Sequence, residues 1–376
     1  MSELQPTGSE SGELNLLDTE TENDLRVVVR ELLADRCDPV TTTGAYDGDS
    51  SAVAPLWKAL AVELGLAGLL VPEERGGAGA SAREVAVVLE ELGHAVAPVP
   101  FLTSSVVAVT TLLAAPADEL LASLAAGEST AALLLPFSTA PGDESSGLTA
   151  DAGGRISGRV TSVAGAIEAD VLLAPVTTPE GTALYAVPAR DAVVDPVTSL
   201  DMTRQLADVR LDGVAGELLL PAGSGTAAVR RGLETGVALL ASEQVGIARW
   251  CLSTTVAYLK ERRQFGRVVG GFQALKHRVA DLYVAVESAS AAARYAAAAV
   301  AENHPDRAVA TAVAQAWCAD VAVRAAEEAI QLHGGIGMTW EHPAHLYLKR
   351  AKADQIAFGT PGLHRARLAG LIDLVA

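Results

Sequence analysis

The hydrophobic period of the chain changes twice, and this order restricts the fold more than any single residue does. From about Thr21 to Ala126 apolar residues recur at helical spacing, as in Leu25, Val28, Val29, Leu32 and Leu33. In "SAREVAVVLEELGHAV" a capping box, Ser81 with Glu84, precedes an apolar stripe of Val85, Val88, Leu89 and Leu92. The intervening "LLVPEERGGAGAS" reads as a glycine-rich surface loop: it lacks the preceding parallel strand and the Gly-Lys-Ser/Thr ending of a phosphate loop. From Ala131 to about Leu220 the runs "ALLL", "RISGRV", "VLLAPV", "ALYAV" and "ADVRLDGV" are short or alternating, which predicts a small β domain. From Gly223 onward long Ala- and Leu-rich helices are predicted over about 225–260, 271–302, 306–332, 340–356 and 362–375, with Pro305, Pro343 and Pro361 near starts. Such small-residue faces suit a close-packed bundle. The class is α+β, with a frayed tail over 1–20, helices over 21–128, β structure over 129–222 and the bundle over 223–376.

Charge and composition narrow the function. With 28 Lys and Arg against 46 Asp and Glu, the net charge of -18 leaves no broad basic face for nucleic acid. No apolar run approaches the roughly 20 residues of a membrane span, and the polar, acidic N-terminus is no signal peptide. Cys37, Cys251 and Cys318 are odd in number and widely spaced, so reduced thiols in a cytoplasmic protein are expected.

Two stretches stand out. "AYLKERRQFGRVVGGFQALKHRVADLY" gathers Lys260, Arg262, Arg263 and Arg267 around Phe265 at a glycine turn, followed by Gln273 and His277. A helix end of this kind can present guanidinium forks to phosphate oxygens, or it can be a solvated basic end. "QLHGGIGM" closes a long helix with Gly334, Gly335 and Gly337, just after Gln331 and His333. Glycines there allow close ligand approach or simply cap the helix, and one turn can do both.

Together with the helix, β, helix order, the runs "RRQFGR", "GGFQALKHRVADLY" and "QLHGGIGMTWEHPAHLYLKRAKADQIAFGT" closely resemble the acyl-CoA dehydrogenase family of flavoproteins over nearly the whole chain. The resemblance implies a central β-barrel, a C-terminal four-helix bundle and FAD at a subunit interface. It also implies an acyl-CoA substrate and electron-transfer flavoprotein as acceptor. Carried over by motif, the residues reaching a neighbour's cofactor are Arg262, Gln264, Phe265, Gln273, Gln331, Leu332, His333, Gly334 and Gly335.

The chain departs from the family where chemistry is done. The usual base, the glutamate of a Y-E-G-T run, is replaced in "IAFGTPGLHR", where Ala357 and Phe358 stand in place of Tyr and Glu. The alternative location falls on Gly236, with Glu234 two residues away. Glu243, flanked by apolar residues, is either a catalytic acid or an internal ion-pair partner. The flavin-holding T-E-P-x-A-G-S-D and W-I-T-N runs are replaced by "PFSTAPGDESSG" and "VTSVAGA". This pattern resembles the base-lacking partner in actinobacterial heterotetramers associated with steroid side-chain breakdown. The rivals are a homotetramer using Glu243 or Glu234, and a flavin-free scaffold. His342 and His345 have ligand-like spacing but no third ligand, so no metal is expected. Trp250, Trp317 and Trp340 are read as packing or interface residues.

Overall fold

The computed structural model describes residues 14–374, apart from Ser50 and Ala152. Most of the expected N-terminal tail, residues 1–13, lies outside the described residues. Residues 14–19 are tied down: Arg83 donates to the Asn15 and Leu17 carbonyls, and Asp18 pairs with Arg26 and Arg294.

Six helices build the N-terminal part: α1 (Glu20–Arg36), α2 (Pro39–Tyr46), α3 (Val53–Lys58), α4 (Ala82–Ala95), α5 (Val109–Leu112) and α6 (Asp118–Ala125). Capping boxes start α1 at Thr19 with Glu22 and α4 at Ser81 with Glu84, each satisfying two N–H groups that the helix itself cannot. The α1 stripe is narrower than its spacing implies. Val29 and Leu33 are buried, whereas Val28 faces outward. Helix α4 is buried nearly all round because α1 covers one face and the C-terminal helices the other. Before α5, Phe101–Ala108 winds with wide π-type turns and is buried throughout.

The β domain comprises β1 (Ala131–Leu133), β2 (Thr149–Ala150), β3 (Arg155–Ala164), β4 (Val171–Thr178), β5 (Gly181–Pro188), β6 (Val193–Val197), β7 (Leu206–Ala215) and β8 (Glu217–Leu220). The expected barrel is built as two four-stranded sheets, ordered β1-β4-β5-β8 and β2-β3-β7-β6. Among the described strands β1 and β4 pair in parallel and the other strand pairs are antiparallel. An isolated bridge, Leu148–Val176, joins the sheets around a core that includes Ile156, Val160, Leu172 and Val209.

The C-terminal part has α7 (Gly225–Glu261), a hairpin of β9 (Arg263–Gln264) and β10 (Arg267–Val268), then α8 (Gln273–Ala301), α9 (Arg307–His333), α10 (Ala344–Ile356) and α11 (Pro361–Leu371). The α7, α8, α9 and α10 faces meet through alanines such as Ala241, Ala289, Ala314, Ala322 and Ala351. Short side chains let the helix axes approach closely, which replaces the large aromatics that a looser bundle would need. At the α4–α7 crossing a Cβ on Gly246 would run into the Glu90 carbonyl, and one on Gly93 into that of Glu243. Helix α7 is therefore clamped between the N-terminal helices and the bundle.

Candidate functional site

The candidate residues fall in two regions: an exposed edge of the helical part, and a crevice where the β domain meets α7 and the α10–α11 turn.

The edge begins at the C-terminus of α7. The Arg262 N–H caps the helix on the Tyr258 carbonyl, and Val269 N–H closes the loop on Arg262 O at 2.7 Å. Between them the chain makes a two-residue hairpin whose central residues, Phe265 (φ 51) and Gly266 (φ 75), are both left-handed. Glycine tolerates that geometry and phenylalanine does not, so Phe265 sits strained at the tip with 89% of its surface exposed. Strain and an exposed aromatic on one residue mark a place organised for contact rather than for folding. Arg267 stacks on Phe272 at 3.8 Å, holding the arm's shape. The side chains of Arg262, Gln264 and Gln273 stand in solvent.

The glycine turn at the end of α9 gives each glycine a different reason. Gly334 (φ 65) ends the helix in a conformation that disfavours side chains. A Cβ on Gly337 would meet the Ile330 carbonyl, so that position is set by packing. Gly335 has neither constraint: its φ is not positive and a Cβ there would point into open space. The chain's own packing leaves its missing side chain unexplained, whereas close approach of a ligand to the backbone explains it. Gln331, Gly334 and Gly335 are exposed together. Leu332 and His333 are not: their side chains are buried, with His333 Nδ1 at 2.6 Å from the Ala329 carbonyl and its ring between Tyr258 (4.5 Å) and His342 (4.2 Å). Burial, then the neighbouring His333 and His345, push His342 down to about 4, so the His342 ring is neutral at pH 7 where it packs beneath the turn. Among the described residues no group of three or more His, Cys, Asp and Glu side chains could hold a metal.

The crevice is bounded by the runs that replace the family's flavin and base motifs. Phe358, itself left-handed (φ 53) beside Gly359 (φ 101), packs edge-on against Phe137 at 5.2 Å. Its N–H donates to the Phe137 carbonyl at 2.9 Å, which ties the α10–α11 turn to the segment after β1. Thr103, Val107 and Leu233 close the remaining sides, and the space left is about 20 Å³, room for about one water molecule.

Behind this seal lies a charge cluster. Glu243 is 1% exposed and is bound by Arg204 (2.7 and 2.6 Å) and Arg350 (2.6 Å). Arg204 also reaches Asp354 at 2.5 Å and lies 5.4 Å over the Phe137 ring. Arg350 reaches Asp201 at 2.6 Å and the Thr203 hydroxyl at 2.7 Å. Burial pushes the Glu243 carboxyl up, but the two guanidiniums outweigh it and hold the pKa below the usual range. Three carboxyls share two guanidiniums, and Asp354 is the one that keeps a proton. Burial and then the Glu243 charge push its pKa up to about 8. Glu234, the other candidate acid, pairs with Arg367 at 2.8 Å on the surface side of α7. Of the cluster, sequence reasoning singled out only Glu243. Arg350 and Asp354 lie among the buried residues of α10 at helical spacing with Tyr347 and Ala351, a charged pair on an apolar stripe. Arg204 sits in a loop and carries no periodic signal.

The residues present fit the ADP half of FAD at the edge, with an exposed guanidinium, amides and an unobstructed glycine backbone. They do not fit an isoalloxazine in the crevice. Helices, β domain and bundle in this order are the architecture of a family of flavin-dependent oxidoreductases. Family models agree: residues 19–127 match the acyl-CoA dehydrogenase N-terminal domain and 223–371 the acyl-CoA dehydrogenase C-terminal domain. The acyl-CoA dehydrogenase IpdE2 of Mycobacterium tuberculosis is 36% identical over 87% of this chain and 89% of its own length. Among solved structures, the Tcur3481–Tcur3483 steroid ACAD superposes with a TM-score of 0.83 at 30% identity, over 94% of this chain and 98% of that one. The ChsE4–ChsE5 complex from Mycobacterium tuberculosis gives 0.85 at 26%, over 96% and 100%. The chain belongs to the acyl-CoA dehydrogenase family, whose members are FAD-dependent oxidoreductases.

Proposed function

We propose that this chain is the base-lacking subunit of a heteromeric acyl-CoA dehydrogenase. It pairs with an unlike dehydrogenase-like chain, two of each in a heterotetramer, and completes a shared FAD site without owning an active site. The observation that carries this reading is the sealed crevice: Phe358, in the run that replaces the family's base motif, packs against Phe137, in the run that replaces a flavin-holding one, while the edge that would reach a neighbour's cofactor stays open.

In this reading Arg262 offers its planar fork to pyrophosphate oxygens, Gln331 donates to them, and the Gly334–Gly335 backbone comes close because no side chain intervenes. Phe265 would pack its exposed ring on the partner side of the same edge. Bound FAD supplies the acceptor for a hydride from the acyl β carbon. The α proton would leave to a carboxylate of the partner, since both candidate bases on this chain's α7, Glu234 and Glu243, are held in ion pairs. An open apolar groove of about 1010 Å³ between α7 and α8, lined by Leu252, Val256, Val279 and Tyr283, adjoins the hairpin and is read as part of the partner's seat.

The substrate is read as a bulky acyl-CoA of the steroid side-chain kind, on the likeness to the steroid ACAD, with electron-transfer flavoprotein as acceptor. Replacing Glu243 and Glu234 singly with Gln in the assembled complex tests the assignment. Turnover per bound flavin should survive each change, even where Glu243→Gln lowers the melting temperature. Abolished turnover in a complex that still holds its flavin would return the base to this chain.

A further inference from the structure

A second cavity, unrelated to the cofactor edge, lies at the seam between the N-terminal helices and the β domain. It measures about 350 Å³, within the range of about 300–1,000 Å³ that small-molecule sites occupy. Its lining includes Trp57 of α3, Pro100, Glu168, Asp170, Met202 and Gln205. The segment from Asp201 to Gln205 divides it from the charge cluster: Asp201 and Arg204 turn inward to Arg350 and Glu243, while Met202 and Gln205 face the cavity.

Two polar atoms on side chains lining this cavity, Trp57 Nε1 and Glu168 Oε2, are buried and have no hydrogen-bond partner among the described residues. Buried polar groups of native proteins are nearly always paired, and an indole N–H in particular finds an acceptor. Neither orphan is explained by the fold. Asp170 is spoken for by the Thr130 N–H and hydroxyl, and Arg204, whose charge acts on Glu168, is consumed by Glu243 and Asp354.

The two orphans specify a ligand. Trp57 Nε1 can only donate, so it requires an acceptor, which an ammonium ion cannot be. Glu168 Oε2 can accept, and a hydroxyl donates to it while its oxygen accepts from the indole N–H. Anions are excluded by the company of Glu128, Glu168 and Asp170 on one cavity, with no guanidinium or ammonium among its lining residues. The indole, Pro100 and Met202 supply apolar walls. We infer that the seam cavity binds a compact neutral alcohol, with its hydroxyl engaging Trp57 and Glu168 and its hydrocarbon body lying against the apolar wall. The site is separate from the shared cofactor site and does not depend on the reading given above.

Three probes of one shape separate the possibilities: cyclohexanol, cyclohexylamine and cyclohexanecarboxylate, titrated into the full-length chain or its complex and followed by ligand-observed NMR. Cyclohexanol should bind saturably and at least about tenfold more tightly than the other two, because only it satisfies both orphans. Trp57→Phe, which keeps an aromatic wall and removes the donor, and Glu168→Gln should each weaken cyclohexanol about fivefold or more. A melting curve for each variant confirms folding, and either variant alone suffices. Tightest binding of the amine, no saturable binding of any probe, or alcohol binding unchanged in a folded variant overturns the inference.

Discussion

The sealed crevice and the exposed edge of this chain are built by opposite rules. In the crevice the strong groups have found partners within the chain, Asp354 Oδ2 excepted among the described residues: two phenyl rings meet edge to face, and Arg204 and Arg350 are divided among Glu243, Asp201 and Asp354. At the edge a strained aromatic, a free guanidinium and an unobstructed glycine are left for something outside. A side chain satisfied internally contributes to folding and cannot also reach a substrate. One left unsatisfied on a rigid scaffold contributes little to folding and is available for binding. The chain is thus divided between a crevice given over to core packing and an edge whose groups are left open.

Substitutions should sort along that division. The largest effect is expected for Arg350→Met, which leaves Asp201 and Glu243 buried without their shared guanidinium. Breaking a buried pair on one side costs about 3–5 kcal/mol, to be read from denaturant unfolding, and a loss under about 1 kcal/mol would mean that the cluster is not what holds the crevice. Phe358→Ala comes next, with a loss of about 3 kcal/mol for the cavity it opens. A near-neutral result there would show a crevice already loose enough to admit a ligand.

A third effect, of comparable size across its whole window, is a pH dependence. Asp354 keeps a proton in the folded chain up to about 8, whereas an ordinary aspartate loses it near 3.8. Between those values the folded state holds more protons than the unfolded one, so stability contributed by this group falls as pH rises. Asp354→Asn removes the titration. The variant should gain on the parent by up to about 1.4 kcal/mol per pH unit through that window, seen as a melting-temperature difference that widens from pH 5 to 8. A constant difference would place the extra proton elsewhere. Smallest on the fold is Arg262→Ala, whose stability change should stay within about 0.5 kcal/mol, while FAD retention by the assembled complex drops at least about tenfold. A large stability loss, or undiminished retention, would erase the contrast between edge and crevice.

The order of helices, β strands and helices was legible in the sequence because it is written in local period. The α7, α8 and α9 boundaries fall within about two residues of the periodic runs, and both the Ser81 capping box and the glycine turn after α9 stand where their residue types place them. Strands β6 and β8 were not legible: Val193–Val197 contains Pro196 and is largely exposed, so it has no apolar alternation, and Glu217–Leu220 is only half buried. The π-type winding of Phe101–Ala108 leaves no mark in a run that is apolar on all sides. At the edge the basic cluster could be seen but not its hairpin, since Phe265 is a poor residue for a left-handed turn. The charge cluster was invisible for a different reason. Arg204 and Asp354 are 150 residues apart, and Arg350 and Glu243 are 107 apart. Local spacing carries no record of such pairings, so Glu243 could be noticed as a buried acid while its partners could not.

The most direct test of the shared-site account is flavin content against chain mass, for the chain expressed alone and then with an adjacent dehydrogenase-like gene product. The account predicts a colourless chain alone and a yellow complex holding one FAD per unlike pair. A yellow chain on its own, with one FAD per copy reduced by an acyl-CoA, would contradict it and make the crevice an active site that opens.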